Sequence, residues 1–220
     1  MSKPAGVESL TTQAYSRLYT AIIRAECAPG SKLKIEDLKN RYGIGTAPLR
    51  EALSLLTSAG LVERIDQRGF RVAPVTRAEF ADLLQSRCLL EGHCLTRSIR
   101  NGGRDWEERI VLAQYHLSRI ARSQDSTTVM DEWEAAHKEL HMALIAASGS
   151  PILLDMADKL YDRNIRYRII SRRAAYPERD VGTEHDAIVR ATLDRDEARA
   201  VELLTSHYST TSAFLDFSNI

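Results

Sequence analysis

Cysteine is scarce in this chain: Cys27, Cys88 and Cys94 are all there is in 220 residues. An odd number without CxxC spacing fits reduced thiols in a cytoplasm better than a disulfide framework. Long apolar runs are missing too. Nothing approaches the roughly 20 residues that a membrane span needs. The first ten residues, MSKPAGVESL, lack the apolar core of a signal peptide. The expected location is the cytoplasm, away from membranes. No long internal repeat and no low-complexity tract is found, and beyond residue 75 there is no strand-like alternation. An excess of charge of either sign is absent, with 30 basic residues against 30 acidic. That balance hides an asymmetry. Residues 1–75 carry 11 Lys and Arg against 7 Asp and Glu, whereas residues 76–220 carry 19 against 23. A basic front and an acidic back point to two modules with different partners.

What is present begins with helical periodicity. Tyr15, Leu18, Tyr19, Ile22 and Ile23 recur at 3–4 spacing, which predicts an amphipathic helix over about 11–25. Pro29-Gly30 breaks it, and a short helix follows over about 36–42, stopped by Gly43. Leu49, Ala52, Leu53 and Leu56 make one face of a third helix that ends at Gly60; Pro48 is tolerable in its first turn. Residues 61–65 and 70–75 read as short strands around the turn Asp66-Gln67-Arg68-Gly69. Helix, helix, tight turn, helix and β-hairpin in that order spell a winged helix-turn-helix over residues 1–75.

In such a unit the third helix enters the DNA major groove, with its N-terminal side chains at base edges. Thr46, Ala47, Arg50, Glu51 and Ser54 lie on or beside its polar face, and Arg68 and Gly69 form the wing tip. The alternative is a small helical packing module with surface arginines.

Thr76-Arg77-Ala78-Glu79 has the spacing of a capping box, so a new unit starts at residue 76. From there to residue 220 only helices are predicted: about 77–100, 104–123, 128–148, 151–173, 183–193 and 196–215. The fold class is therefore mainly α, a winged helix-turn-helix followed by an all-α bundle.

The segment His137-Lys138-Glu139-Leu140-His141 mimics a metalloprotease signature. In the zinc-protease motifs the Glu adjoins a His in a fixed order. Here Glu139 is central and, at about 100° per residue, points roughly 200° from His137. The two histidines share a face at i, i+4 and can grip one ion, but Glu139 cannot serve as general base for water on it. On apolar stripes, Arg87 follows Leu83 and Leu84, and Asn164 and Arg168 follow Leu153, Ala157 and Leu160. An inward Arg87 has two readings: an internal ion pair with Glu91 one turn on, or a guanidinium held for an anionic ligand.

Several segments together carry a family resemblance: PGSKL (29–33), TAPLREAL (46–53), GLV (60–62), QRGFRV (67–72), RCLLE (87–91), HMALIAASGS (141–150), EHDAIV (184–189) and His207. Residues 9–75 resemble the DNA-binding domain of the GntR family. Residues 76–220 resemble the FCD ligand-binding domain of its FadR subfamily. The resemblance implies a homodimeric transcriptional regulator, not an enzyme. Its affinity for double-stranded DNA would be set by a small-molecule effector; two-fold symmetry then predicts an inverted-repeat operator, and a cation near the inward Arg87 predicts a small carboxylate as that effector. With the i, i+4 spacing, the resemblance also implies a metal site at His137, His141, His185 and His207, for a divalent ion such as zinc or nickel; the inward stripes, not the resemblance, set Arg87, Asn164 and Arg168 toward the effector. Two departures stand out. The family's base-reading arginine in the recognition turn is replaced by Thr46, and the Asp that usually precedes the first histidine ligand by four residues is His137. The competing readings are a metal sensor and a metal-dependent hydrolase joined to a DNA-binding domain.

Overall fold

The computed structural model describes residues 8–66, 68–120, 127–175 and 179–212; for 127–130, 170–175 and 212 it describes the backbone alone. The chain divides into two units between Arg77 and Ala78.

The first unit begins with α1 (Leu10–Ile23), capped where the Ser9 side chain accepts the Thr12 N–H. Its periodic apolar residues behave as their spacing demands: Ala14, Leu18, Ala21 and Ile22 are buried. Next come α2 (Ile35–Tyr42) and α3 (Thr46–Ser58). Gly43 closes α2 at φ 66°, a left-handed conformation that glycine adopts without a Cβ penalty. The tight turn that follows brings α3 against α1 through Leu49, Ala52, Leu53 and Leu56, all fully buried.

The wing is β2 (Val62–Ile65) and β3 (Gly69–Val72), antiparallel with Val62 opposite Val72 and Ile65 opposite Gly69. Gly69 has φ 96°, which the turn requires. The predicted extension of the second strand to residue 75 does not form; pairing stops at Val72. A strand not anticipated from sequence, β1 (Lys32–Leu33), pairs with the other side of β3, Lys32 opposite Arg71. Two residues are too short to show a period of two, so nothing in the sequence pattern marked it.

Among the described residues the second unit is all helical: α4 (Arg77–Asn101), α5 (Arg104–Ser118), α6 (Thr127–Ile145), α7 (Pro151–Ala175), α8 (Val181–Leu193) and α9 (Glu197–Ser212). The ends shift by a few residues from the periodicity reading. Helix α5 closes at Arg119 instead of 123, and residues 121–123 and 213–215 of the expected helices lie outside the described set. Helix α8 starts two residues early because the Asp180 carboxylate caps it, accepting from Thr183. The core gathers Leu95, Ile110, Leu140, Leu144, Ile188 and Leu204 from five helices. Trp106 joins it and donates its indole N–H to the Ala143 carbonyl at 2.9 Å, which satisfies the one polar atom of that ring.

Candidate metal centre and nucleic-acid interface

In the first unit the recognition helix presents what its period predicts. Burial of Leu49, Ala52, Leu53 and Leu56 leaves Thr46, Ala47, Arg50, Glu51 and Ser54 exposed on the other face. Glu51 accepts the Thr11 hydroxyl at 2.8 Å, tying this face to α1. Arg68 and Gly69 are exposed at the wing tip. Neither Arg50 nor Arg68 makes an ion pair among the described residues, so both guanidinium groups remain available for phosphate or base edges.

In the second unit the four histidines singled out from sequence come together. His137 and His141 arrive from α6, His185 from α8 and His207 from α9. Their ligand atoms all lie within 4.8 Å of one another, and all four side chains are buried. The Nε2 atoms of His137 and His141 are 3.2 Å apart. Two imidazole nitrogens on one tetrahedral zinc, each about 2.0–2.1 Å from the ion, would lie roughly 3.3 Å apart. The Nε2 of His185 is buried with no hydrogen-bond partner among the described residues. A buried imidazole nitrogen left without a partner is costly unless something else occupies its lone pair. The donor set therefore fits a borderline-soft divalent cation.

Charge state supports the same fit. Burial pushes His137, His141 and His185 well below the usual histidine range, and the neighbouring imidazoles add to it. Burial likewise lowers His207 to about 4, against the opposing hydrogen bond with Glu184. All four are neutral near pH 7, the form that ligates metal.

Each ring but His185 has a visible support on its Nδ1. Tyr161 stands 2.6 Å from that of His137, and Tyr208 stands 3.0 Å from that of His141. The Glu184 carboxylate is 2.6 Å from that of His207 and also takes a forked contact from Arg179. Burial opposes ionisation of Glu184, but the bonds from His207 and Arg179 outweigh it and set its carboxyl at about 2. Trp133 stacks on His137 with ring centroids 4.7 Å apart.

Arg87, Asn164 and Arg168 are buried, as their apolar stripes require. Arg87 forms the internal pair with Glu91, Nε to Oε1 at 2.6 Å and Nη2 to Oε2 at 3.2 Å. Glu91 raises its pKa further although burial works against the charge. Arg168 pairs with Glu134 and donates to Tyr161 Oη at 2.9 Å. The two guanidinium groups sit over the Tyr161 ring, 5.3 and 4.6 Å from its centroid. Glu139 is exposed and 3.9 Å from His116, outside the histidine cluster.

Sequence reasoning missed Tyr161, Tyr208, Glu134, Glu184 and Arg179. Glu184 and Tyr208 each adjoin a cluster histidine in sequence, a weak signal that was available. Tyr161 meets His137 only through the tertiary packing of α7 on α6.

Comparison with known proteins decides the family. Residues 82–210 match the family described as FCD domain, and residues 10–72 match the one described as bacterial regulatory proteins, gntR family. The chain belongs to the GntR family. Its FCD domain places it with the FadR-like members, and it is a DNA-binding transcriptional regulator. Among GntR relatives, the HTH-type transcriptional repressor GlaR of Escherichia coli (strain K12) is 36% identical over 200 residues, covering 89% of this chain and 91% of that protein. The uncharacterized HTH-type transcriptional regulator BphR of Paraburkholderia xenovorans (strain LB400) is 38% identical over 205 residues, covering 92% and 84%. The solved structure of E. coli McbR/YncC superposes with a TM-score of 0.75 at 20% identity, over 94% of this chain and 97% of that one. A GntR regulator from Rhodococcus sp. RHA1 gives 0.73 at 19%, over 94% and 98%. At these identities the structures speak for the fold alone. No helix among the described residues is long and apolar enough to cross a membrane.

Proposed function

We propose that this GntR regulator is a homodimeric repressor whose helical domain binds one divalent metal ion, zinc or nickel, and a small organic acid that lowers operator affinity. The four neutral, buried histidines with an unpartnered Nε2 on His185 carry the metal reading. Four neutral ligand groups leave the ion's charge uncompensated, which favours an incoming carboxylate. Glu91 uses Nε and Nη2 of Arg87, and its second terminal nitrogen stays outside that pair. Arg87, although paired, keeps that further N–H group for a carboxylate, with Asn164 and Arg168 on one face of α7. The repressor assignment follows the name of GlaR. A two-fold protein reads two half-sites, hence the inverted repeat.

Elemental analysis of protein purified without chelator tests the metal, with about one ion per chain expected. Added Zn²⁺ or Ni²⁺ should raise the thermal midpoint of stripped protein by mass action, and His141→Ala should abolish both results. An absence of metal together with no thermal shift would sink the reading. Calorimetry with carboxylates and their neutral analogues, repeated after chelation, tests the effector class.

A further inference from the structure

Helix α5 shows water a face that does not suit it. Its buried residues, Trp106, Ile110, Ala113 and Leu117, form one stripe. At about 100° per residue, the row directly opposite is Glu108, Leu112, Tyr115 and, at the helical C-cap, Arg119. A helix that covers a core on one side only should be polar along that whole row. Here the middle of the row is apolar. Leu112 is 53% exposed and Tyr115 58%, with Val111 beside them at 53%. A single exposed leucine needs no explanation, but three large side chains on adjoining turns make a patch. Leu193, at the end of α8, carries the patch onto the next helix, and the four line a groove of about 590 Å³.

The charges along the row identify what covers it. The steps from Glu108 to Leu112, Tyr115 and Arg119 are four, three and four residues, the same from either end. One end is an acid and the other a base. A two-fold contact is made of one patch that must match itself. A second copy of α5 laid antiparallel sets Glu108 against Arg119 and Leu112 against Tyr115, and the symmetry repeats both pairs. Steps of three and four are also those by which helix ridges interlock at a shallow crossing angle. Arg119 makes no ion pair among the described residues. Glu108 is paired with Arg104, but their side chains are 62% and 87% exposed, and a pair so wet holds weakly.

The 15 residues of α5 span roughly 22 Å, too narrow a strip for the roughly 800 Å² that each partner of a stable complex buries. Helix α8 lies alongside, tied on by Gln114 to Asp186 and by Arg195 to Glu107. Its exposed Arg190 and the half-buried Leu193 widen the face.

We infer that this face of α5, widened by α8, is where a second copy of the chain docks, two-fold and antiparallel. The inference rests on the homodimer reading proposed above and gives that dimer its interface.

Sedimentation equilibrium of the full-length protein without DNA measures the dimer Kd. Leu112→Asp should raise it by more than about thirtyfold and Tyr115→Ala by more than about tenfold. Both side chains are more than half exposed, so the variants should keep the wild-type fold, which circular dichroism checks. Glu108→Arg alone and Arg119→Glu alone should each weaken the dimer by about tenfold or more. The variant carrying both should recover most of that loss, because exchange restores only charges that face each other. Ile152→Asp, at an exposed apolar position on α7, should leave the Kd unchanged. Three results overturn the inference while the homodimer reading stands: a wild-type Kd in Leu112→Asp, a dimer broken by Ile152→Asp instead, or a double charge variant no tighter than the single ones. A wild-type protein that stays monomeric at every concentration overturns both.

Discussion

The two units of this regulator put their polar chemistry in opposite places. In the first, the buried set is entirely apolar among the described residues, and Thr46, Arg50 and Arg68 all stand in solvent. In the second, Arg87, Glu91, Glu134, four histidines, Asn164, Arg166 and Arg168 are buried. A surface that reads a polyanion needs its cations wet and free until the partner arrives. A site that encloses a small ion must desolvate its ligands first, and each desolvated group then needs a fixed partner. The lesson is energetic. Substitutions on the first unit's recognition face should change binding and spare stability, whereas those inside the second should strike stability directly.

The largest effect expected from that contrast is at Arg87. Both Arg87 and Glu91 are 2% exposed, so removing the guanidinium strands a carboxylate in the core. Arg87→Met should cost about 3–5 kcal/mol in denaturant unfolding, and exchanging both partners for apolar residues should restore much of it. An exposed pair in the first unit, Arg71 with Glu63 at 2.6 Å, supplies the contrast, since such pairs are worth about 0–1 kcal/mol. A loss below about 1 kcal/mol at Arg87 would erase the distinction between the units.

The second effect is on pH. His207 has a folded pKa of about 4 against 6.5 in an unfolded chain. Between those values the unfolded state binds the proton and the folded state does not, so stability rises with pH. Metal-free protein should hold this contribution above pH 6.5 and lose it on acidification toward pH 4, by up to about 3 kcal/mol. The other three cluster histidines act in the same sense because burial lowers them too. Thermal midpoints in chelator at pH 7, 6 and 5 check the sign; a midpoint flat across that range contradicts it.

The smallest stability effect, close to zero, is expected on the recognition face. Arg50→Ala should cost about 1–3 kcal/mol of operator affinity if it pairs with guanine, with an unchanged thermal midpoint. Arg68→Ala should weaken all sequences alike and reduce the salt slope of binding by about one. Fluorescence anisotropy at several salt concentrations separates the two.

The same division explains what could be read in advance. The helices of both units were legible because their apolar residues repeat every three to four positions, and the wing because glycine marks its turn. Exposed site residues such as Arg50 followed at once, since a residue off the apolar face of a short helix has only solvent to face. The buried site was legible in part. The i, i+4 pair His137 and His141 announced itself, but joining His185 and His207 to it took the family resemblance, because three helices separated in sequence carry no common period. The partner of Arg87 stayed open between Glu91 and a ligand, since both lie inward and only distance decides. Tyr161 and Glu134 were silent, for a hydrogen bond across helices leaves no trace in spacing.

The two-residue strand β1 has a consequence for how the wing meets DNA. An isolated two-stranded hairpin is marginal in water and samples many shapes. Here β3 is laced on both sides, to β2 and to Lys32–Leu33. Arg68 therefore sits at the tip of a ribbon stiffened before any encounter, and little conformational freedom is left to surrender when it docks.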